Sequence, residues 1–377
     1  SADLLLRATL YRISSDEHVL QIVMHHIASD GWSRSLFTQE LTILYNAYVQ
    51  GQSNPLPTLP LQYADFAKWQ RQWLTGDVLR SQLDYWEKQL SGVPPLLALP
   101  TDYPRPLQPT YRGKRLSFRL PTKLTNQLKA LSQENGATLF MTLLAAFKTL
   151  LYRYSGQTDI VVGSPIANRP QKELEPLIGL FLNTLVLRSQ LSGNPTFIEL
   201  LSRVKKTALD AYAHQNLPFE QLLETLQPAR DRSYFPWFQV LFVLQNTPQA
   251  EPAFTNLTIQ KEPIPKTTAK FDITLSMSER ADGLNGVFEY STDLFTTDSA
   301  ERMVAHFQML LESIVEQPKG AIATLPLLRD TEQQQLTQST FGTPPQHCIH
   351  HLFELQAQKT PSATAVESVT TSLTYQA

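Results

Sequence analysis

Two adjacent histidines, an aspartate and a glycine stand within seven residues of each other, and these residue types can do chemistry together. The stretch is HHIASDG, in which His25 and His26 are followed by Asp30 and Gly31. A neutral imidazole accepts a proton near neutral pH, which suits it to deprotonating an amine, hydroxyl or thiol that attacks a carbonyl. Glycine lets another backbone or a substrate approach closely. The stretch therefore allows acyl transfer, although histidines beside an aspartate are more often structural than catalytic.

Alternating apolar residues predict the elements that hold this motif. Residues 7–13 and 18–25 are typical of the two strands of a hairpin, joined by the polar turn SSDE. Adjacent side chains on a strand point to opposite faces, so we expect only one of the two histidines to reach a cleft at the strand end. Asp30 lies where the chain must turn, and Ser33 is predicted to cap a helix whose apolar face runs over residues 36–48.

Composition excludes several classes of protein. Of the 377 residues, 42% are hydrophobic and 18% charged, and the net charge is −2. This balance gives no basic face for nucleic acid and no attraction to an anionic membrane, so we expect neither partner. Cys348 is the single cysteine, which excludes an internal disulfide and favours a reducing, cytoplasmic compartment. The apolar run at residues 139–152 is too short for a membrane span and contains Lys148, so we predict a buried helix.

Changes in composition divide the chain into five stretches. Residues 91–114 are a proline-rich connector, and residues 331–345 are a polar linker. Residues 115–330 alternate helical and strand patterns, which predicts an α/β fold, a sandwich of helices on a mixed sheet. Residues 1–90 and 346–377 are predicted to belong to separate units on either side.

Four further motifs follow HHIASDG along the chain. They are YADFAKW at residues 63–69, IGLFLNT at 178–184 with Arg188 after it, HQNLPFE at 214–220 and RDRSYFPWFQ at 230–239. Together with MHHIASDGWS they resemble, in the same order, the motifs of nonribosomal peptide synthetase condensation domains, in the chloramphenicol-acetyltransferase-like superfamily. Four residues depart from the family pattern: Asn216, Leu217, Tyr234 and Trp237.

The resemblance implies a fold and an activity. In the family, two lobes of similar α/β fold meet in a V with the active site at its base, and the first lobe is expected to be incomplete here. Arms of 4′-phosphopantetheine on upstream and downstream peptidyl carrier domains enter from opposite faces. The amine of the acceptor thioester then attacks the donor acyl thioester and a peptide bond forms. No cofactor is expected to bind directly, and no metal. The segments ASDGWS and NTLVLR resemble those of domains that join an L-configured donor to an L-configured acceptor, the LCL type.

Residue roles follow from the same resemblance. His26 is the predicted catalytic histidine, and His25 is predicted to support its loop. Asp30 is expected in an ion pair that shapes the loop, and Gly31 is expected to leave the substrate tunnel open. The predicted substrate-binding residues are Ser33, Asn183, Thr184 and Ser233. For Asn183, Thr184 and the segment around Ser233, ordinary packing is an equal alternative.

Two other clusters each have a structural and a functional interpretation. Tyr63, Phe66 and Trp69 suggest a ligand cage, but their spacing of three favours the packing face of a helix. The run HCIHH, from His347 to His351, suggests zinc, but it has no second cluster, and we expect no metal there.

Residues 346–377, with LTY at 373–375, resemble the start of an adenylation domain. We therefore interpret the chain as a fragment that begins inside a condensation domain and continues into an adjacent adenylation domain. The isolated fragment is expected to be inactive and prone to aggregation, because so short a first lobe buries little surface.

Three alternatives stay open at this point. They are a non-catalytic platform domain, an epimerisation-type relative and a free-standing acyltransferase. The intact HHxxxDG counts against the first, and the adenylation-like tail counts against the other two.

Overall fold

In the computed structural model, which describes residues 4–229, 231–245, 253–262, 264–337, 348–368 and 370–376, the chain divides into two units. The first is Ser1–Leu327 and the second is Leu328–Ala377. The further division of the first unit into two lobes that meet in a V stays a prediction. No helix within the described residues is long and apolar enough to cross a membrane.

A hairpin and three α-helices precede the proline-rich connector. The elements are β1 (Leu6–Arg12), β2 (His18–Met24), a short 3₁₀ helix (His26–Ala28), α1 (Gly31–Val49), α2 (Tyr63–Trp73) and α3 (Gly76–Leu90). The predicted hairpin is confirmed: β1 and β2 pair antiparallel, with Leu10 opposite Leu20.

Asp30, rather than Ser33, caps α1. The Oδ1 atom of Asp30 accepts a hydrogen bond from the Ser33 backbone N–H at 2.8 Å, and the helix begins at Gly31. A carboxylate at this position satisfies an unpaired N–H and lies at the positive end of the helix dipole. The prediction of a Ser33 cap was therefore wrong, and its hydroxyl is left to bond elsewhere.

A six-stranded mixed sheet forms the centre of the first unit. Its strands are β3 (Gly113–Pro121), β4 (Asp159–Ile166), β5 (Asn183–Gln190), β6 (Val240–Gln245), β7 (Ile273–Arg280) and β8 (Gly283–Ser291). The order across the sheet is β3-β8-β7-β6-β4-β5. β6 runs parallel to β4 and β7, and the other neighbours are antiparallel. The predicted mixed sheet is confirmed.

Five further α-helices of the first unit follow the proline-rich connector. They are α4 (Thr122–Glu134), α5 (Leu139–Ser155), α6 (Phe197–Ala213), α7 (Phe219–Leu226) and α8 (Thr297–Glu316). The predicted buried helix is α5, which is buried from Met141 to Leu151. Thr196 and Glu199 form a capping box at the start of α6.

The two sides of β7 differ in character. On β7, Ile273, Leu275 and Met277 are buried, whereas Thr274 and Ser276 alternate with them and are partly exposed. Since side chains alternate across a strand, one side of β7 packs into the hydrophobic core with the helices, and its other side is polar.

The second unit contains α9 (Asp330–Thr337), α10 (Ile349–Lys359) and the antiparallel strands β9 (Thr364–Glu367) and β10 (Ser372–Thr374). The polar stretch predicted as a linker over residues 331–345 is helical up to Thr337, because no proline or glycine interrupts it there. Residues 338–345, and also His347, lie outside the described residues.

Candidate active site

The two histidines lie beyond β2 rather than on it. His25 precedes the 3₁₀ helix, and its Nδ1 atom accepts a hydrogen bond from the Ile27 N–H at 3.1 Å. His26 is the first residue of that helix, and both histidines are exposed. The prediction that strand alternation sends one histidine inward was wrong, because a helical turn replaces the strand at this point. The two side chains nevertheless differ, since His25 has a local backbone partner.

A buried ion pair holds the loop that follows. The Arg169 guanidinium donates to Asp30 Oδ2 at 2.9 Å, and each of the two side chains is 2% exposed. The Phe181 N–H donates to the same oxygen at 3.1 Å. Burial by itself would raise the pKa of Asp30, but the bonds from Arg169 and Ser33 outweigh it and lower that pKa. The ion pair expected for Asp30 is therefore confirmed, and its partner is a residue that the sequence analysis missed.

Arg169 carried no signal of its own in the sequence. It stands in the stretch ANRP after β4, and nothing there distinguishes it from the other arginines. Its guanidinium also lies 4.2 Å from the centre of the Phe181 ring, which adds a cation–π contact. Only the folded chain shows that this arginine is buried against the HHxxxDG loop.

Ser33 and Trp32, close to Asp30 in the chain, also form hydrogen bonds with distant residues. The Ser33 hydroxyl donates to Gly179 O at 2.8 Å and accepts from Arg169 and from the Gly179 N–H, both at 3.1 Å. Trp32 Nε1 donates to Glu175 O at 2.9 Å. The hydroxyl of Ser33 is buried and occupied by protein groups, so a substrate could reach it only if one of these contacts broke.

The aromatic residues of α2 pack against the same loop. The Phe66 and Phe181 rings lie 4.7 Å apart, and the Tyr63 hydroxyl donates to Leu180 O at 2.9 Å. A Cβ added at Gly179 would come within 2.2 Å of the Tyr63 ring, so glycine is needed for this close approach. The packing role predicted for Tyr63 and Phe66 is confirmed.

Asn183 joins two of the sequence motifs. Its amide nitrogen donates to Gln215 O and Leu217 O, each at 2.8 Å. Its amide oxygen accepts from the N–H groups of Thr184 at 2.8 Å and Phe219 at 2.9 Å. The amide of Asn183 is thus fully used in binding the 178–184 motif to the 214–220 motif.

Ser233 belongs to a different group of residues. Its hydroxyl donates to Asp231 at 2.7 Å, and its carbonyl accepts from Arg105 at 3.4 Å. Arg105 also forms an ion pair with Asp272 at the wall of the same cavity, which has a volume of about 230 Å³. Burial raises the pKa of Asp272 against the lowering effect of Arg105. Arg230 of this motif lies outside the described residues.

The surroundings of Gly31 are open. A Cβ added there would meet no other part of the protein closer than Arg34 Nη2, at 3.9 Å, which is an ordinary contact. Protein packing alone therefore does not require glycine at this position.

A second, larger cavity lies over the polar side of β7. Its volume is about 760 Å³, and Thr274, Ser276 and Ser278 of β7 form part of its wall. Arg115 and Lys266 also line it.

Comparisons with known proteins give the chain a family. The condensation-domain model matches residues 1–337. One of the linear gramicidin synthase proteins of Brevibacillus parabrevis is 50% identical over 369 residues, which are 96% of this chain and 7% of that protein. Malpinin synthetase from Mortierella alpina is 43% identical over 375 residues, which are 98% of this chain and 5% of that protein. The chain thus spans a small part of the length of these relatives.

Two solved structures are also similar. The X-domain in a complex of the X-domain and OxyB from teicoplanin biosynthesis has a TM-score of 0.80 and 30% identity, over 87% of this chain and 74% of that chain. A four-domain nonribosomal peptide synthetase bound to AMP and glycine has a TM-score of 0.80 and 25% identity, over 99% of this chain and 29% of that chain. The ordered motifs, the mixed sheet and the matched model agree, and the chain belongs to the condensation-domain family of nonribosomal peptide synthetases.

Proposed function

We propose that this chain forms a peptide bond between a donor acyl or peptidyl thioester and an acceptor aminoacyl thioester, with His26 as the catalytic residue. The observation that carries the proposal is the shape of the HHxxxDG loop. The buried pair of Asp30 and Arg169 fixes the loop from inside, while the imidazole of His26 stays exposed at its surface. A structural histidine would be expected to have its ring packed or hydrogen-bonded.

The chemistry needs little from the protein beyond placement. The acceptor amine attacks the thioester carbonyl, a C–N bond forms, the C–S bond breaks and the thiol of the donor arm leaves. The proton lost by the amine goes to the imidazole of His26 or directly towards the leaving thiolate. Since a thioester is activated and an amine is a good nucleophile, holding the two ends together supplies much of the acceleration. His26 orients the amine and stabilises the charge that develops.

The supporting residues divide into two roles in this proposal. Asp30, Ser33 and Asn183 position loops, because their polar atoms are occupied by protein partners. Gly31 faces open space, so its lack of a side chain favours an approaching substrate rather than packing. Thr184 and Ser233 are proposed to contact substrate or its arm. The active site would lie where two lobes meet in a V.

The proposed partners are two peptidyl carrier domains, one for each thioester, with substrates tethered to 4′-phosphopantetheine. The subtype favoured by the ASDGWS and NTLVLR wording is LCL. We further propose that residues 346–377 begin an adenylation domain. In support, the family model ends at residue 337, while the four-domain synthetase covers 99% of this chain.

The test places the chain within a complete synthetase and compares peptide formation by the wild type and His26→Ala in single-turnover assays with both carrier domains loaded. We expect a loss of at least about 100-fold, the usual range for a positioned acid or base. His18→Ala removes another exposed imidazole, on β2, and serves as the matched control. Wild-type peptide formation by His26→Ala would show that the catalytic assignment is wrong.

A second candidate is a non-catalytic platform that recruits another protein. The similarity to an X-domain solved in complex with OxyB favours it. In that case the wild-type synthetase would form no peptide at this domain, and His26→Ala would behave like the wild type. An epimerisation-type relative would instead invert the donor residue before transfer, which chiral analysis of the released product detects.

A further inference from the structure

The start of α10 brings three metal-binding side chains together. Cys348, His350 and His351 are exposed, and their ligand atoms all lie within 4.8 Å of one another. The ring centroids of the two histidines are 4.3 Å apart. Thiolate sulfur and imidazole nitrogen are ligands that zinc prefers in proteins. The three side chains therefore form a candidate zinc centre within a short, continuous stretch of the chain.

The geometry of a helix start explains why these side chains converge. Cys348 occupies the N-cap position of α10, with the extended backbone angles φ −64° and ψ 157°. A side chain at this position normally turns back towards the second and third residues of its helix. In α10, which begins at Ile349, those residues are His350 and His351. Cys348 makes no capping hydrogen bond, so the helix backbone does not occupy its sulfur atom.

The distances between the ligand atoms fit a zinc ion after small side-chain movements. Bonds of about 2.0 Å to nitrogen and about 2.3 Å to sulfur, at tetrahedral angles, place ligand atoms about 3.3–3.5 Å apart. The three groups must therefore close by roughly 1.5 Å at most, which rotation about the side-chain bonds of exposed residues allows. The positive end of the helix dipole also favours the thiolate, the form of cysteine that binds a metal.

The run HCIHH lacks a second cluster in the sequence, which is the reason why no metal is expected from the sequence alone. A second cluster is needed by structural zinc sites with four protein ligands. A site with three protein ligands does not need one, because water or another ligand fills the fourth position. We propose that Cys348, His350 and His351 bind one zinc ion in the second unit of the chain. The ion joins the N-cap residue of α10 to its first turn and stabilises that helix.

The test titrates the 377-residue chain, without a histidine tag, with Co²⁺ and then with Zn²⁺. Co²⁺ accepts the same ligands and is coloured, whereas Zn²⁺ has a filled d shell and gives no absorption. We expect one Co²⁺ per chain with a thiolate charge-transfer band, which excess Zn²⁺ removes. Cys348→Ser should abolish that band, and His350→Ala and His351→Ala should each weaken Zn²⁺ binding by at least about tenfold. His18→Ala removes an exposed imidazole on β2 and should bind both ions like the wild type.

Amide hydrogen exchange gives a second measurement. Zn²⁺ should slow exchange in α10 of the wild type but not in α10 of Cys348→Ser. The inference is overturned if the wild type binds neither ion, if Cys348→Ser keeps the charge-transfer band, or if exchange slows equally in both chains. It is also overturned if His26→Ala abolishes binding, since the metal would then lie at the HHxxxDG loop. Binding of zinc at α10 neither requires nor contradicts the proposed peptide formation.

Discussion

The role of Asp30 in the fold differs from the role that its position beside the histidines suggests. In the sequence it stands four residues after His26, where an acid that polarises a histidine is a natural interpretation. In the fold its carboxylate binds Arg169, the Ser33 N–H and the Phe181 N–H, and none of these partners is a histidine. The removal of such a buried carboxylate costs stability first, because the partner arginine is left uncompensated.

Lys148 is a second residue whose role depends on its surroundings. It is fully buried in α5, where its Nζ atom donates to Leu187 O at 2.8 Å and to Ser189 Oγ at 2.7 Å. Burial lowers its pKa to about 7, although the charge of Asp159 acts in the opposite direction. Asp159 is itself paired with Arg188. Above about pH 7 the folded state therefore favours the neutral amine of Lys148.

Because of Lys148, the free energy of unfolding is expected to change with pH above neutrality. Between about 7 and 10.5 the unfolded chain keeps the proton of Lys148 and the folded chain has lost it, so stability rises with pH across this window. We expect the free energy of unfolding to rise by up to about 1.4 kcal/mol per pH unit there. Urea denaturation across the window measures this slope, and Lys148→Met should flatten it. Lys129→Met, at a partly exposed lysine paired with Glu279, is the control, and an equal flattening there would contradict the assignment.

At the scale of elements, α2 and the loop at residues 175–182 are coupled through one small residue. Gly179 lies under the Tyr63 ring, and the Tyr63 hydroxyl bonds to Leu180 O. Ser33 and Trp32, at the beginning of α1, donate hydrogen bonds to the same loop. The position of the HHxxxDG loop therefore depends on how closely α2 packs.

Gly179→Ala should push α2 away from the loop at residues 175–182. The new methyl group would lie within 2.2 Å of a Tyr63 ring carbon, and overpacking of this kind usually costs about 1–3 kcal/mol. We expect a lower thermal midpoint and slower peptide formation in the complete synthetase. Tyr63→Ala makes room for the methyl group, so Gly179→Ala should lower the midpoint less in a Tyr63→Ala background than in the wild type. A double variant no better than the additive sum of both changes would show that the ring is not the obstacle.

At the scale of the whole molecule, apolar burial is uneven. Helices and sheet share one large core from Leu74 to Leu325, but the described part of the hairpin contributes no buried residue to it. Leu10 and Leu20 face each other across the hairpin and are 66% and 51% exposed. A contiguous exposed apolar surface of this kind favours association. The aggregation expected from the sequence would therefore begin at the hairpin.

Charges placed on this surface should reduce association. We expect the pair Leu10→Glu and Leu20→Lys to lower light scattering and binding of a hydrophobic dye, without lowering the thermal midpoint. The reason is that both side chains are exposed and lose little packing, while opposite charges across the strands are tolerated. Leu107→Glu, at an 87% exposed residue in the connector, is the control and should have little effect. Equal reduction by that control would contradict a role for the hairpin.

Local periodicity in the sequence is enough to predict much of the secondary structure of this protein. The hairpin, the buried helix α5, the capping box of α6 and the mixed sheet all follow from apolar spacing and cap residues that lie close together along the chain. The motif order indicated the family, because each motif is continuous in sequence.

The tertiary structure alone decided which distant residues meet. Arg169 reaches Asp30 across 139 positions, and Asn183 reaches Phe219 across 36, and no local pattern encodes such pairings. A 3₁₀ turn at His26 stands where the apolar pattern predicts the end of a strand, and the residues after it, Asp30 and Ser33, are held by a loop far along the chain. Burial of polar groups requires partners, and folding selects those partners from elements that the sequence keeps apart.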